Sequence, residues 1–238
     1  MWYCRGGCPN CPGQPAKNGG MWGLFDEVKE EELKQTFKRA PRQKRKTLPS
    51  LHLVSQYNKL LDDESKNYLR QRGVSDETMQ KFQIGKRRDK MITIPNIATV
   101  KGKKRTYGIK YRWLPKHQPD DAAKYFLRPG SIAKSIYNFD VLKRHWTAVI
   151  VVESVMDVLV LSSLGLPAIA PFGGGSIWGE DWGKFFDCDV ILNIADRDEG
   201  KRKGDGTVWY PGRDYAARRA RMLGLQVDAK YSKVVTLD

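Results

Sequence analysis

Two pairs of carboxylates, each placed directly after an apolar run, are the residues in this sequence best suited to chemistry. Glu153 follows the run Ala-Val-Ile-Val-Val, and Asp157 comes four residues later. Asp196 follows the run Val-Ile-Leu-Asn-Ile-Ala, and Asp198 comes two residues later. One acid after a strand is usually a helix cap or a solvated loop residue, but the combination of E-x₃-D with D-x-D is much more specific.

The four carboxylates suit a divalent metal site. Parallel strands of an open α/β sheet end at one edge, where functional groups collect, so we expect the acids to converge there. Carboxylates without basic partners repel one another unless a cation lies between them. Mg²⁺ and Mn²⁺ take such oxygen ligands and keep positions open for phosphate. We expect Glu153, Asp196 and Asp198 to bind the metal and Asp157 to complete the catalytic group.

Hydrophobic periodicity predicts the elements that must position these acids. In roughly the last hundred residues, apolar strands alternate with helices, which is typical of a parallel sheet with helices on its faces. Upstream, residues 55–82 have a helical pattern with a break at Gly73, and residues 90–114 alternate like two β-strands around Gly102. The sequence therefore predicts an α/β fold whose second part carries the acids.

The charge is strongly positive and unevenly distributed. The chain has 42 Lys and Arg against 27 Asp and Glu. Residues 1–139 carry 29 basic and 13 acidic groups, whereas residues 140–238 carry 13 and 14. The span Lys86–Lys116 holds eleven basic residues and one acid. A solubilising surface would explain the net charge alone, but a basic front beside an acidic site favours an enzyme that acts on nucleic acid.

Membrane and secretory classes are not expected. No run approaches eighteen consecutive apolar residues, so no transmembrane helix is predicted. The N-terminus is polar and rich in Gly and Pro, and it lacks the apolar core of a secretory signal. We therefore expect a cytoplasmic protein.

Three crowded cysteines near the N-terminus, Cys4, Cys8 and Cys11, resemble metal ligands more than a disulfide framework. They supply three thiolates, whereas tetrahedral Zn²⁺ takes four ligands, and the first histidine is His52. Zinc binding, a degenerate remnant and a truncated start all remain open. The following stretch Lys38–Ser50 has six basic residues, two prolines and no acid, and it is typical of a flexible linker.

The acid-bearing segments resemble a TOPRIM domain, which bacterial primases, topoisomerases and recombination proteins share. The similar stretches are TAVIVVESVMDVLVLSSLGLPAIAPFGGG and VILNIADRDEG. Ser154 stands where the family usually has Gly.

The family's D-x-D is followed by Gly and a helix. Here Gly200-Lys201 fits directly, or residues 200–210 are an insertion and Pro211-Gly212-Arg213 resumes the motif. The second alignment is preferred, because the helical pattern begins there.

Upstream segments resemble the catalytic core of bacterial (DnaG-type) and bacteriophage primases. They are YLRQRGVSDETMQKFQIG, KYFLRPGS and IYNFDVLK, and with the TOPRIM motifs they cover roughly residues 66–225 in the family's order. The resemblance implies template-directed synthesis of RNA primers. Single-stranded DNA, ribonucleoside triphosphates and Mg²⁺ or Mn²⁺ would take part in it. The basic residues expected to contact template or nucleotide phosphates are Arg72, Lys110, Arg112, Lys124 and Arg128.

The same resemblance implies a domain organisation. Residues 1–37 would be an incomplete zinc-ribbon segment with a short helix, since WYCRGGCPNC resembles the second half of such a ribbon. Residues 38–54 would be the basic linker, residues 55–144 a small basic α+β subdomain, and residues 145–238 the TOPRIM domain. No G-x-x-x-x-G-K-[ST] motif is present, so a replicative helicase is expected either as a separate partner, which is preferred, or as a C-terminal portion outside this sequence.

Two other functions use the same acids. A TOPRIM nuclease or topoisomerase-like enzyme would hydrolyse or break a phosphodiester. A non-catalytic protein of the recombination type would only bind single strands. The segments RGVSDET and KYFLRPGS favour the primase over both. A bacterial or phage-infected bacterial cell would be the setting in which such a primase works.

Overall fold

A computed structural model describes residues 47–202, 204–226 and 231–236. These residues belong to one unit that spans Lys46–Asp238. The expected zinc-ribbon segment with Cys4, Cys8 and Cys11, and most of the expected linker, lie outside the described residues. No helix within the described ranges is long and apolar enough to cross a membrane.

Three short helices come first, and each begins at a side-chain cap. Ser50, Asp62 and Ser75 accept hydrogen bonds from backbone N–H groups three residues later, which satisfies amides that the first helical turn leaves unpaired. Gly73 has φ +85°, so the helical pattern breaks there as the sequence predicts. The helices are α1 (Leu51–Asn58), α2 (Asp63–Gln71) and α3 (Asp76–Lys81).

A four-stranded antiparallel sheet follows, with its strands in chain order. Lys101 (φ +49°) and Gly102 (φ +73°) form the two-residue turn of its long hairpin, which confirms the strand pair predicted around Gly102. A 3₁₀ turn at Pro115–His117 leads to the last strand. The strands are β1 (Gly85–Lys86), β2 (Met91–Val100), β3 (Lys103–Trp113) and β4 (Tyr125–Leu127).

The rest of the described chain alternates strands with helices, as the sequence predicts. Two 3₁₀ helices, Phe139–Lys143 and Trp182–Phe185, connect them. The other elements are β5 (Ile136–Tyr137), β6 (Trp146–Val151), α4 (Val155–Ser163), β7 (Ala168–Pro171), β8 (Cys188–Ala195), β9 (Lys201–Arg202), β10 (Val208–Trp209), α5 (Pro211–Gln226) and β11 (Tyr231–Thr236).

The second large sheet has the strand order β11-β8-β6-β7-β5. Its first four strands are parallel, and the short edge strand β5 pairs antiparallel with β7. The two faces of this sheet pack into different cores, because neighbouring side chains on a strand point in opposite directions. Ile150 and Val152 face α4 and the antiparallel sheet, whereas Val149 and Val151 face the other core, which contains Leu223 of α5.

The two sheets approach each other closely at Gly108 on β3. A Cβ atom at this position would lie 2.6 Å from Cε1 of Phe172 and 2.7 Å from Cβ of Ser131, so only glycine fits without a shift of its neighbours. Phe172 directly follows β7. This contact joins the basic sheet to the sheet that carries the acids, and it brings the chemistry-bearing parts of the chain into one body.

Candidate site of clustered carboxylates and basic residues

Two of the predicted acids leave adjacent parallel strands at the same edge of the sheet. β6 and β8 pair directly, with Val151 opposite Asn193. Glu153 lies two residues beyond Val151, and Asp196 lies three residues beyond Asn193. The strand register therefore brings these two carboxylates together, and the first turn of α4 and the D-x-D loop bring Asp157 and Asp198 within electrostatic range.

The proximity of the acids raises the pKa of two of them. Burial and the neighbouring charges of Asp196, Asp198 and Asp157 raise the pKa of Glu153 to about 7. Asp196 retains much solvent exposure, yet partial burial and the charges of Asp157 and Asp198 also raise its pKa. Each ionised acid makes the ionisation of the next one less favourable, so the cluster resists holding all its negative charges at once.

Asp157 is held by the residue that caps its helix. The Ser154 hydroxyl donates to Oδ2 of Asp157 over 2.7 Å, and Ser154 Oγ accepts from the Asp157 backbone N–H over 3.3 Å. Ser154 has φ −117°, an extended conformation that does not require glycine. The serine that stands where the TOPRIM family usually has Gly therefore acts here as an N-cap that fixes Asp157.

Asp198 is fixed by the start of α5. The Gly212 backbone N–H donates to Oδ2 of Asp198 over 2.6 Å. A Cβ at Gly212 would lie 2.7 Å from the Asp196 carbonyl oxygen, so glycine lets the helix begin against the D-x-D loop. Between Asp198 and Gly212 in the chain, β9 and β10 pair as two short antiparallel strands. The helix thus resumes at Pro211, as the preferred alignment expects.

A glycine beneath Glu153 makes room for its carboxylate. Any Cβ at Gly175 would collide with Cγ, Cδ and Oε1 of Glu153. The Glu153 Oε2 atom is buried and has no hydrogen-bond partner in the described protein. The carboxylate therefore packs against the glycine run after β7 and leaves one oxygen without a protein donor.

The cluster also contains an arginine that the sequence reasoning missed. Arg219 of α5 is 1% exposed, and its charge acts on both Glu153 and Asp196. Burial lowers the Arg219 pKa, and these two acids oppose that change. Its sequence signal was a basic residue on the apolar stripe of a helix, three positions after Ala216 and four before Leu223.

The donor set fits a divalent cation, although no preformed cage is present. Among the described residues, no three His, Cys, Asp or Glu side chains lie close enough to hold one ion together. The available donors are carboxylate oxygens, which Mg²⁺ and Mn²⁺ prefer. A bound cation would give the unpartnered Oε2 of Glu153 a partner. It would also lower the pKa values of Glu153 and Asp196, which are raised without it.

The predicted basic residues gather largely around one tyrosine, Tyr125 of β4. Arg112 is 2% exposed, and its Nε donates to the Tyr68 hydroxyl over 2.7 Å. Its other nitrogens donate to the hydroxyls of Tyr68 and Tyr125, and its guanidinium lies 4.6 Å from the centroid of the Tyr125 ring. Tyr68 was not singled out from the sequence, because a tyrosine on a polar helix carries no functional signal by itself.

Lys110 and Lys124 approach the same tyrosine from different depths. Lys110 is 7% exposed, and burial lowers its pKa to about 8. Lys124 is exposed, and partial desolvation with the charges of Arg112 and Arg72 lowers its pKa. The nitrogens of the two lysines lie 5.8 and 5.9 Å from the Tyr125 ring centroid. Four of the five predicted basic residues therefore form one basic group. Its buried layer consists of Lys110 and Arg112, and its exposed layer consists of Lys124 and Arg72.

Arg128 lies apart from this group. Its charge acts on Tyr111, whose side chain points to the opposite face of β3 from Lys110 and Arg112. Its Nη1 donates to the Pro129 carbonyl oxygen over 2.9 Å. A ligand that touches Lys124 and Arg128 together would therefore have to extend around the edge of the sheet.

Tyr125 of the basic group lies within electrostatic range of the acid cluster. Asp157 raises the Tyr125 pKa, in addition to the larger effect of burial, while Arg112 lowers it. Tyr125 is therefore within electrostatic range of an acid on one side and two arginines on the other.

We predict that the pH dependence of stability reports on Glu153. Its pKa is about 7 in the folded protein against an ordinary value of 4.5, so the folded state binds more protons between these values. Stability of the protein in EDTA should therefore fall as pH rises from 4.5 to 7. Glu153→Gln removes this titration and should reduce the fall by about 1–2 kcal/mol.

Urea unfolding in EDTA at pH 5.0 and 7.5 measures the effect. The exposed Glu77 of α3 provides a matched control, because Glu77→Gln should keep the wild-type dependence. An equal fall in wild type and Glu153→Gln would show that the carboxyl group of Glu153 is not destabilised by its surroundings.

Comparison with known proteins relates this chain to others by structure alone. The sequence matches no model of a known protein family and no curated protein. Among solved structures, the DnaG primase catalytic domain bound to ssDNA has a TM-score of 0.59 at 18% identity. That match covers 79% of this chain and 69% of that one.

Two further similar structures come from the bacterium Aquifex aeolicus and from bacteriophage T7. The zinc-binding and RNA polymerase domains of the Aquifex aeolicus primase match with a TM-score of 0.55 at 16% identity, over 91% of this chain and 62% of that one. The primase fragment of the bacteriophage T7 primase-helicase protein matches with a TM-score of 0.53 at 18% identity, over 87% and 76%. The chain therefore has the fold of the DnaG-type primase catalytic core.

Proposed function

We propose that the chain is a DNA primase, which synthesises short RNA primers on a single-stranded DNA template by metal-dependent nucleotidyl transfer. One observation carries the proposal: carboxylates that follow two adjacent strand ends cluster within electrostatic range of Tyr125, around which the basic group gathers. The similar structures add support, since one is a DnaG catalytic domain bound to ssDNA and another is a phage primase fragment.

The reaction needs a metal site and a way to hold phosphates. The 3′-hydroxyl of one nucleotide loses its proton and attacks the α-phosphate of the next, and pyrophosphate leaves. Bound Mg²⁺ or Mn²⁺ would lower the pKa of the hydroxyl and neutralise charge on the triphosphate. Glu153, Asp196 and Asp198 would supply its carboxylate ligands, and Asp157, oriented by Ser154, would complete the group.

The basic group would divide its work between two layers. Exposed Lys124 and Arg72 would contact phosphates of the template or the incoming nucleotide directly. Buried Lys110 and Arg112 would raise the local positive potential, and Arg112 would also fix the hydroxyls of Tyr68 and Tyr125. Arg128, which lies on another face, would contact the strand at a distance from the acids.

We also assign domains by this proposal. Residues 145–238 would be the TOPRIM domain, residues 55–144 the basic subdomain, and residues 38–54 the linker. The likeness to a structure that includes a zinc-binding domain favours a zinc-binding role for Cys4, Cys8 and Cys11. A separate helicase would supply unwound template, and a bacterial or phage-infected cytoplasm is the proposed setting.

Two alternative functions would use parts of the same site. A nuclease would direct a metal-bound nucleophile at a phosphodiester and would not need to hold a triphosphate. A single-strand-binding protein would use the basic group without chemistry. The basic group around Tyr125 favours the primase, because a primase must hold a triphosphate as well as a template.

We predict that Glu153→Gln abolishes primer synthesis, by at least 100-fold, and leaves single-strand binding within about twofold of wild type. The change removes one metal-ligand charge at a strand end and preserves the shape of the side chain. The measurement is incorporation of labelled ATP into short products on random single-stranded DNA with Mg²⁺ or Mn²⁺. Glu77→Gln makes the same chemical change on exposed α3 and should be fully active.

The same assay separates the alternatives. DNA degradation without ribonucleotide incorporation would replace the primase by the nuclease. Binding without either reaction would favour the binding protein. Near-wild-type synthesis by Glu153→Gln would refute the assignment of Glu153 to the metal site.

We predict that Gly175→Ala lowers primer synthesis tenfold or more with little loss of stability. The added methyl group would displace the Glu153 carboxylate, which is the flexible end of a side chain and can move at small cost. Gly204→Ala is the matched control, because a Cβ at Gly204 meets no atom within 4 Å. Wild-type activity in Gly175→Ala would mean that the position of this carboxylate is unimportant to the reaction.

We predict that Lys124→Gln weakens single-stranded DNA binding and reduces the slope of log affinity against log salt by about one. Each phosphate that a lysine neutralises releases about one counterion when DNA binds, and the variant would make one such contact fewer. Fluorescence anisotropy from 50 to 200 mM salt measures the slope, and Lys184→Gln, which changes an exposed side chain of the second 3₁₀ helix, should retain it. An unchanged slope in Lys124→Gln would exclude a direct phosphate contact.

A further inference from the structure

One face of α5 carries a charge where a core residue would be expected. Gly212, Ala216, Arg219 and Leu223 recur at the spacing of one helical face, and all four are buried. Three of them are small or apolar, as the packed face of a helix requires. The fourth, Arg219, is among the largest fully buried side chains of the described chain.

The guanidinium of Arg219 has no hydrogen-bond partner. None of Nε, Nη1 and Nη2 finds an acceptor within the described protein. A buried charge is strongly unfavourable unless an opposite charge compensates it. The acids whose charges act on Arg219 are Glu153 and Asp196, which leave the two adjacent strands.

The position of α5 accounts for the electrostatic interaction between Arg219 and the two acids. Gly212, at the start of the same helical face, lies against the Asp196 backbone and bonds to Asp198. Arg219 lies two helical turns further along that buried face, and the charges of Glu153 and Asp196 act on it there. Glu153 keeps an unpartnered buried oxygen in the same cluster.

We propose that Arg219 is a built-in counter-cation of the acid cluster, which stabilises Glu153 and Asp196 in the metal-free protein and weakens their affinity for divalent cations. It is a positioning residue, because it acts on the carboxylates and does not contact substrate. This role rests on the metal-binding function proposed above for the same acids. The arginine would allow the cluster to fold without a metal, at the cost of a weaker metal site.

The test combines Arg219→Met with a double-mutant cycle. Arg219→Met keeps a long apolar side chain and removes the charge, while Arg219→Lys keeps the charge. Arg218→Met is the matched control, because Arg218 is the exposed neighbour on the same helix. Thermal unfolding in EDTA and Mn²⁺ affinity by electron paramagnetic resonance, both at pH 8, are measured for each variant and for each combined with Glu153→Gln.

We expect Arg219→Met to unfold at a lower temperature in EDTA and to bind Mn²⁺ at least fivefold more tightly than wild type. Mn²⁺ should therefore stabilise this variant more than it stabilises wild type. Much of the loss in EDTA should disappear in the Glu153→Gln background, because the unpaired acid is then neutral. Arg218→Met and Arg219→Lys should stay close to wild type in both measurements.

Two results would overturn the inference. Additive losses in the double-mutant cycle would make Arg219 a packing residue without a specific link to Glu153. Unchanged or weaker Mn²⁺ binding by Arg219→Met would remove its effect on the metal. If wild type itself binds no Mn²⁺, the proposed metal function fails together with the affinity effect, whereas a non-additive cycle would still support the pairing of Arg219 with Glu153.

Discussion

Repulsion between carboxylates at one sheet edge is the constraint on which the rest of this structure depends. Parallel strands that end side by side place Glu153 and Asp196 together, whatever their charges prefer. The surrounding residues then restrain the acids one at a time. Ser154 holds Asp157, Gly212 holds Asp198, and the glycine run after β7 gives Glu153 its space.

The basic group obeys the complementary constraint. Arg112 is buried, so its donors must be satisfied within the protein, and the hydroxyls of Tyr68 and Tyr125 accept from them. The rings of Tyr68 and Tyr125 also face the Arg112 guanidinium, and this cation–π interaction stabilises the positive charge in its buried position. Positive potential is therefore built into the sheet itself, and the exposed Lys124 adds to a field that the buried residues already maintain.

Local patterns made much of this fold predictable. The long hairpin follows from alternation on both sides of a Lys-Gly turn, and the acids follow directly after apolar runs that are strands. The start of α5 at Pro211 follows from its helical pattern. The antiparallel edge strand β5 could not be predicted, because its two residues, Ile136 and Tyr137, are too few to show a period.

Long-range partners account for what the sequence did not reveal. Arg112 is expected at a surface until Tyr68, 44 residues away in the chain, is seen to accept from it. Arg219 looks like one of several arginines on a basic helix, and only its depth distinguishes it from Arg218. The role of Gly175 in making room for a carboxylate likewise could not be predicted, because Glu153 follows a different strand.

The contact between Gly212 and Asp198 separates the geometry of the acids from the hairpin of β9 and β10. Both ends of the hairpin lie near that contact, and Trp209 of β10 also packs edge-to-face against Tyr215 of α5, so the length of the turn between the strands is not needed to set the D-x-D loop. Lengthening a closed loop costs little, about 0.6 kcal/mol for each doubling. The turn between β9 and β10 is therefore a point at which the chain can be lengthened while the acid cluster keeps its geometry.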